Sequence, residues 1–243
     1  MSELDPARVL LIIATLGRRP EYLTQTIDSI KDQSTLVDLV IVGPTGNQGL
    51  QELAEKHKIP ILPDPGSLPA AINLGATVLK DHHEYLNWLN DDDLLEPQTL
   101  HKVVAALDKN PSASVAFGHC RYIDAHGARL WVSRAGKWAP KILAWGPDLV
   151  PQPGMLVRSH VWKVAGGIDP SYSLAFDLDL LLRLKKLGPI ICVPTVVSSF
   201  RWHRDSLTVE DRSKNLQESE RAKRAALPRA LQPISPLWDV PVR

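Results

Sequence analysis

Short apolar runs alternate with amphipathic segments through the first half of the chain, and this alternation constrains the fold more than any other feature. The first run, residues 9–14, is continuously apolar, which is typical of a strand covered on both faces in a parallel sheet. Residues 21–33 follow with Leu23, Ile27 and Ile30 at helical spacing. The strand–helix unit occurs four times, which predicts βαβ units and an α/β fold with helices on both faces of the sheet.

The predicted elements become less regular in the second half of the chain. In the first half, strands are predicted at residues 9–14, 36–42, 59–62 and 85–89, and helices at residues 21–33, 50–58, 68–80 and 97–109, the last opened by Pro97. In the second half, strands are predicted at residues 114–122, 155–157 and 190–200, and helices at residues 159–164, 178–187 and 209–226. The prolines within residues 228–243 predict an extended tail.

Length, charge and cysteine content limit the class of protein. A chain of 243 residues forms one large domain or two small ones. Its 28 basic and 27 acidic residues argue against a dedicated nucleic-acid binder, which carries a marked basic excess. Cys120 and Cys192 lie far apart, which argues against a disulfide framework or a thiolate zinc site and favours a reducing compartment. No apolar run has the length of a transmembrane segment and residues 1–8 do not resemble a secretory signal, so a cytoplasmic protein is predicted.

Three successive carboxylates, Asp91, Asp92 and Asp93, follow the predicted strand at residues 85–89. The carboxyl ends of parallel strands meet at one edge of a sheet, where ligands of such folds bind. Two charges about 4 Å apart interact by about 1 kcal/mol in water and about 4 kcal/mol at an effective dielectric near 20. A divalent cation bound by oxygen, Mg²⁺ or Mn²⁺, would relieve this repulsion and bridge to a diphosphate. The alternative is that one aspartate caps the next helix and the others are solvated.

A second acidic pair, Asp177 and Asp179, precedes a leucine-rich helix, and a histidine follows the last predicted strand. Asp177 is a candidate general base, although an N-cap and a favourable charge at the helix dipole would also explain the pair. His203 is a candidate third metal ligand, or a histidine that is merely packed or solvated. Arg201 and Arg204 beside it are equally well interpreted as surface charge.

Taken together and in order, these segments resemble a family 2 inverting glycosyltransferase of the GT-A fold. The matching segments are Thr15 and Arg19, then residues 70–75, 88–93, 152–153, 166–169, 177–184 and 201–203. The resemblance implies a mostly parallel, Rossmann-like sheet in a single domain at residues 1–208. Its nucleotide-binding half would span about residues 8–110 and its irregular acceptor half about residues 111–208, followed at residues 209–243 by a C-terminal helix and the proline-rich tail.

The resemblance also implies an activity and assigns roles to residues. Such enzymes transfer a sugar from a nucleotide diphosphate sugar to an acceptor hydroxyl with inversion, using Mn²⁺ or Mg²⁺ and an aspartate base. The acceptor would be a carbohydrate or a lipid-linked molecule. By match, the metal ligands would be Asp93, Asp91 and His203, the nucleotide-binding residues Thr15, Arg19, Asn73, Asp91 and Asp92, and the catalytic base Asp177.

The chain departs from the family after the second strand, where many members carry an aspartate that accepts a hydrogen bond from uracil. Residues 42–47 contain no acid. UDP is the most frequent donor nucleotide of the family, but GDP and dTDP are therefore open, with the Gly43 backbone or the Asn47 side chain as substitute contacts.

The acceptor half contains three tryptophans at seven-residue spacing, Trp131, Trp138 and Trp145. They would either stack on an acceptor sugar or anchor an irregular segment on the core. The basic residues of segment 221–229 would bring the chain to an anionic membrane surface that carries a lipid-linked acceptor. Two glutamates in the same helix dilute this charge and favour a solvated helix face.

Two other classes of protein fit part of the pattern. A sugar nucleotidyltransferase also combines an α/β sheet with acidic metal ligands, but residues 15–19 are only a weak version of its glycine-rich phosphate loop. A catalytically inactive binding protein for nucleotide sugars or for a protein partner would account for the missing aspartate. Against it, both acidic motifs are intact.

Overall fold

A computed structural model of the protein describes residues 7–134, 136–202 and 212–227. The first half alternates strand and helix as predicted. Its elements are β1 (Val9–Ala14), α1 (Pro20–Lys31), β2 (Val37–Gly43), α2 (Gln48–His57), β3 (Ile61–Pro63), α3 (Leu68–Ala76) and β4 (Tyr85–Asn90). Only α3 differs clearly, because it ends four residues before the predicted boundary at residue 80.

The second half contains two strands that the sequence did not predict. Its elements are β5 (Leu94–Leu95), α4 (Leu100–Lys109), β6 (Val115–Ile123), β7 (Arg129–Ser133), α5 (Ala139–Ile142), β8 (Leu156–Arg158), α6 (Ser159–Ala165), α7 (Phe176–Leu187), β9 (Ile190–Arg201) and α8 (Arg212–Ala226). Strand β5 is stabilised by pairing with β9, a partner about a hundred residues away, and β7 forms a hairpin with β6. Pro97 does not open α4, which begins at Leu100.

The strands form one mixed sheet that brings several carboxyl ends to the same edge. The order is β3-β2-β1-β4-β8-β6-β9-β5, with β7 paired to β6 outside this path. Strands β1, β2, β3 and β4 are parallel, and β8 runs antiparallel between β4 and β6. Strand β6 therefore has the direction of β4, and β9 is parallel to β6. The ends of β1, β2, β4 and β9 consequently lie at one edge.

Helices cover both faces of the sheet, and each face has its own core. Leu11 and Ile13 of β1 pack with α1, α2 and α4, whereas Leu10 and Ile12 pack with α3, α6, α7 and α8. The continuous apolar run of β1 is therefore buried on both faces, as predicted. Helix α3 lies so close to β1 that a Cβ on Gly75 would be 2.4 Å from Ile12 Cγ2.

The three tryptophans of the acceptor half do not anchor an irregular segment on the core. Trp131 lies on β7, and Trp138 and Trp145 lie between β7 and β8. They are 44, 62 and 50% exposed, so the anchoring interpretation is wrong. The predicted tail at residues 228–243 lies outside the described residues. Within the described ranges no helix is both long and apolar enough to cross a bilayer.

Candidate active site

The loop after β1 contacts the acidic loop after β4 through two pairs of side chains. The Thr15 hydroxyl donates a hydrogen bond to Asp91 Oδ2, and Thr15 Oγ1 accepts one from the Gly17 amide at 2.9 Å. Arg19 Nη1 donates to Asp92 Oδ2 at 2.7 Å. These contacts follow from the parallel pairing of β1 with β4, which places Ala14 opposite Asn90 at the sheet edge. Four of the predicted site residues are thereby brought together.

Asp93 points into the protein rather than toward solvent. Its side chain is fully buried, and its carboxylate accepts hydrogen bonds from Asn90 Nδ2 at 3.0 Å and from the Arg201 backbone amide at 3.1 Å. Its main-chain oxygen accepts a hydrogen bond from the Thr26 hydroxyl at 2.8 Å. The predicted metal-ligand role of Asp93 stays a prediction, and in this structure the residue joins the acidic loop to β9 and α1.

Arg201 holds the acidic loop from the other side, so its interpretation as surface charge is wrong. It is 2% exposed, and its Nε donates to the Asp92 carbonyl at 3.0 Å. Its other nitrogens donate to the Ala125 carbonyl at 3.2 Å and to Gln25 Oε1 at 2.8 Å. The guanidinium also lies 4.2 Å above the centre of the Tyr22 ring. The strand position of Arg201 at the end of β9 gave no sequence signal of this role.

Negative charge is concentrated at this edge. Burial raises the pKa of Asp91, with a further contribution from Asp92, and burial and the charge of Asp92 raise the pKa of Asp93 well above its usual range. Both shifts have the same cause: burial and neighbouring negative charge favour the neutral form of these carboxyl groups. Hard oxygen donors under mutual repulsion are the donor set that Mg²⁺ or Mn²⁺ prefers. The residues present therefore fit a divalent cation.

Two asparagines of the nucleotide half form hydrogen bonds to the protein through both the oxygen and the nitrogen of their side-chain amides. Asn73 donates to the Ile168 carbonyl at 2.8 Å and accepts from the Ile168 amide at 2.9 Å. Asn47 caps α2 through Leu50 N at 3.0 Å and donates to the Gly17 carbonyl at 3.3 Å. Asn73 thus joins α3 to the segment before α7, and Asn47 supports the loop that carries Thr15.

Asp177 lies in the first turn of α7, where Oδ1 accepts a hydrogen bond from Leu178 N at 2.8 Å. Desolvation raises the pKa of Asp177 to about 6. Asp148, from the segment before β8, is an exposed residue, yet desolvation of its carboxyl and the charge of Asp177 raise its pKa as well. Lys223 of α8 opposes this shift. At neutral pH Asp177 is therefore largely a carboxylate, the form that a general base requires.

Asp179 serves a different purpose from Asp177. Its Oδ2 accepts hydrogen bonds from Arg183 Nε at 2.9 Å and Nη2 at 2.6 Å. Arg183 Nη1 in turn donates to the carbonyls of Ala165 and Gly167 at 2.6 and 2.8 Å. Asp179 is thus a structural residue. Of the predicted acidic pair, Asp177 is the one that remains a candidate base.

Helix α8 completes the start of α7. Helix α7 has Ala175 at its N-cap and therefore no side-chain cap of its own. The Glu218 carboxylate accepts hydrogen bonds from the backbone amides of Ser173, Leu174 and Ala175 at 2.8–3.0 Å. Arg221 donates to the Ser171 carbonyl at 2.7 Å. The predicted solvated face of this helix is, at these two residues, a docking face.

Sequence reasoning missed Arg201, Asp148 and Glu218, and His203 lies outside the described residues. Arg201 ends a strand that also contains Thr195, Ser198 and Ser199, so a polar residue there did not mark a special role. Asp148 and Glu218 acquire their roles from contacts across the fold, and no local pattern marks them.

The protein has the GT-A type of α/β fold, with an acidic loop at the edge where β1, β2, β4 and β9 end. Residues 10–160 match the glycosyl transferase family 2. The chain therefore belongs to that family.

Relatives and solved structures agree with this assignment. An uncharacterized glycosyltransferase of Methanocaldococcus jannaschii is 21% identical over 67% of this chain and 60% of its own length. One of Rickettsia felis is 22% identical over 80% of this chain and 34% of its own length, so the chain spans less than two thirds of either relative. The crystal structure of S. aureus TarS has a TM-score of 0.67 at 14% identity, covering 93% of this chain and 68% of that one. The mannosyltransferase PcManGT of Pyrobaculum calidifontis has a TM-score of 0.64 at 15% identity, covering 94% and 68%.

Proposed function

We propose that this protein is a metal-dependent inverting glycosyltransferase that moves a sugar from a nucleotide diphosphate sugar to an acceptor hydroxyl. The observation that carries the proposal is the meeting of Thr15, Arg19, Asp91 and Asp92 at the edge of the sheet. The candidate base Asp177 stands apart from it, at the start of α7. Family membership supports the same activity.

On the donor side, Arg19 and the acidic loop would bind the diphosphate. The Arg19 side chain is 33% exposed and pairs with Asp92, whose side chain is 13% exposed. We propose that Asp91 and Asp92 hold the cation and that Asp93 holds the loop, because Asp93 is fully buried and its hydrogen-bond donors are protein groups. A bound cation would stabilise negative charge on the departing diphosphate. Arg19 would then exchange Asp92 for a phosphate oxygen.

On the acceptor side, Asp177 would accept the proton of the attacking hydroxyl. Inversion in a single displacement needs one base on the face of the sugar opposite the leaving group, and glycosyl transfer has oxocarbenium character. The carboxylate form of Asp177 is available near neutral pH, because desolvation raises its pKa only to about 6. A positioned base of this kind contributes about 10²–10⁴-fold to the rate.

The donor nucleotide is open, and the acceptor we propose is a carbohydrate or lipid-linked hydroxyl. PcManGT was solved with GDP-Man and Mn²⁺, and TarS with UDP, so neighbours of this fold take either base. Asn47, the predicted substitute for the missing aspartate, is bonded to Gly17 and Leu50. Cys120 and Cys192 are both free thiols, in keeping with a cytoplasmic setting.

The test is thermal stability in the presence of UDP, GDP, dTDP or CDP, each with Mn²⁺ and with EDTA. A nucleotide at about 100 times its dissociation constant should add about 2.7 kcal/mol to the free energy of unfolding. We expect one nucleotide to stabilise the protein with Mn²⁺ and to lose most of that effect with EDTA. Asp92→Asn should abolish the Mn²⁺ dependence.

Each outcome selects a class of protein. Stabilisation by none of the four nucleotides would overturn the proposal. Release of pyrophosphate from a nucleoside triphosphate would identify a nucleotidyltransferase instead. Metal-dependent binding of a nucleotide sugar with no turnover on any hydroxyl acceptor, including water, would favour the inactive binding protein.

A further inference from the structure

Four aromatic side chains form a cluster on the ends of three neighbouring strands. This aromatic cluster consists of Tyr122 on β6, Trp131 on β7, Phe200 on β9 and Trp202 directly after β9. The Tyr122 and Trp131 rings are stacked, with centroids 4.4 Å apart and planes 12° apart. Trp202 lies edge-on to Trp131 at 5.8 Å, and Phe200 lies 5.5 Å from Tyr122. These contacts hold the rings in one arrangement.

The aromatic cluster faces the same side of the sheet as α7. Tyr122 is opposite both Trp131 and Phe200 in the sheet register, so the three side chains share a face. The alternate residues point the other way, because Arg121 pairs with Glu96 at 3.0 Å and Arg201 lies over Tyr22 of α1. The helices on the cluster's side are those that pack on Leu10 and Ile12, and they include α7.

Within that face, the aromatic cluster adjoins the acidic loop. Phe200 and Trp202 flank Arg201, whose backbone amide donates to Asp93 Oδ1 at 3.1 Å and whose Nε donates to the Asp92 carbonyl at 3.0 Å. Helix α7, which carries Asp177, packs on the same face of the sheet. The aromatic cluster therefore lies beside the donor-side carboxylates, on the face that the helix of the candidate base covers.

The two indoles leave a large apolar surface open at this place. Trp131 and Trp202 are 44 and 42% exposed, although Tyr122 covers one face of Trp131. An ordered, half-open aromatic surface beside carboxylates suits a ligand with both C–H faces and hydroxyl groups, which describes a pyranose ring.

We propose that the aromatic cluster is the platform on which the acceptor sugar stacks, with Trp131 and Trp202 as its contact residues. This inference rests on the proposed glycosyltransferase function and adds the substrate class of the acceptor subsite. Stacking there holds the acceptor beside the acidic loop, on the face of the sheet that α7 covers. The occupant is a carbohydrate acceptor or the terminal sugar of a longer one.

The test follows the indole N–H resonances of the ¹⁵N-labelled protein during titration with sugars. The probes are methyl β-D-glucopyranoside, methyl α-D-mannopyranoside and methyl N-acetyl-β-D-glucosaminide, with phosphatidylglycerol vesicles as a separate arm. We expect at least one glycoside to shift the Trp131 and Trp202 signals and to leave Trp138 unchanged. Trp131→Ala and Trp202→Ala should each weaken that binding by about tenfold. Trp138→Ala is the matched control, since Trp138 is 62% exposed and its ring contacts Lys141 instead of the cluster.

Failure of this inference is distinguishable from failure of the proposed function. The stabilisation by nucleotide and Mn²⁺ should be the same in Trp131→Ala as in the unchanged protein. If nucleotide binds and none of the glycosides shifts Trp131 or Trp202, the platform is overturned and the donor site stands. Shifts produced by vesicles alone would also overturn it, in favour of a membrane surface. If neither nucleotide nor glycoside binds, both proposals are overturned.

Discussion

At the scale of single residues, the aspartates of the two acidic motifs differ in burial, contacts and pKa because their surroundings differ. Asp91 and Asp92 keep a small exposed fraction and contact Thr15 and Arg19, whereas Asp93 is fully buried among protein donors. Asp177 has a raised pKa, and its neighbour in the same turn, Asp179, is fixed by Arg183. Burial and the presence of a cationic partner therefore determine the pKa and the role of each carboxyl group.

Asp177→Asn should lower turnover by about 10²–10⁴-fold and leave nucleotide binding nearly unchanged, because the amide cannot accept the acceptor's proton. The measurement is release of nucleoside diphosphate from the donor that carries the stabilising nucleotide. Asp179→Asn is the control from the same helical turn. It should instead lower the free energy of unfolding by about 1–3 kcal/mol, because Arg183 loses a charged partner. Equal loss of nucleotide binding in Asp177→Asn would place Asp177 at the donor.

The rate of transfer should fall as the pH is lowered through about 6, because the raised pKa of Asp177 leaves the group protonated below that value. The charged groups that face this region are Asp148 and, from α8, Lys223. Asp148→Asn should leave this acidic limb of the kcat/KM profile in place, because desolvation sets the raised pKa of Asp177, and Asp148, whose pKa is about 7, is largely protonated where Asp177 titrates. A limb that moves to lower pH in this variant would show that Asp148 is charged while Asp177 titrates.

At the scale of elements, α8 supplies a cap that α7 lacks. The amides of residues 173–175 precede the helix that carries Asp177, and the Glu218 carboxylate binds all three. A carboxylate is also favoured here by the positive end of the helix dipole. The last described helix is thus coupled to the position of the candidate base, although the two are about forty residues apart in the sequence.

Glu218→Ala should lower the free energy of unfolding by about 1–3 kcal/mol, since three amides lose a charged acceptor. Denaturant unfolding measures the loss, and hydrogen exchange of the amides at residues 173–175 should become faster. Gln217→Ala is the matched control, because Gln217 is an exposed residue of the same helix. Indistinguishable unfolding of the two variants would contradict the capping role.

At the scale of the whole molecule, one mixed sheet separates two cores and carries the site at a single edge. Strand β1 lies at the centre of this edge, because it pairs with both β2 and β4 and is buried on both faces. The geometry of the site therefore depends on the packing of the central strand.

Leu10→Ala should lower the free energy of unfolding by about 2–5 kcal/mol, because it removes buried apolar volume from the centre of the sheet. Leu36→Ala is the matched control, since Leu36 is 53% exposed and should change stability by about 0.5 kcal/mol or less. Urea unfolding followed by circular dichroism compares the two. Similar losses would show that the core of this face tolerates a cavity at β1.

Most of the fold could be predicted because the signals are local. The apolar runs that form β1, β2, β4 and β9 and the periodic segments of α1 and α7 were all identified, since burial on two faces and helical amphipathicity appear directly in residue order. Strands β5 and β7 could not be predicted. Each is stabilised chiefly by a partner strand, and β5 has only two residues.

The candidate site also combines features that residue order predicts with features that depend on the tertiary structure. Residue order predicted the acidic loop, because it follows a strand end, and the ordered segments predicted the family, which the family match confirms. The roles that the resemblance implies for Thr15, Arg19 and Asp177 stay predictions. Only the tertiary structure decided that Asp93 is buried, that Arg201 holds the acidic loop, that Glu218 caps α7 and that four aromatic rings form one surface. The reason is physical: desolvation, charge pairing and ring stacking depend on distances between residues far apart in the sequence, and only the folded chain sets those distances.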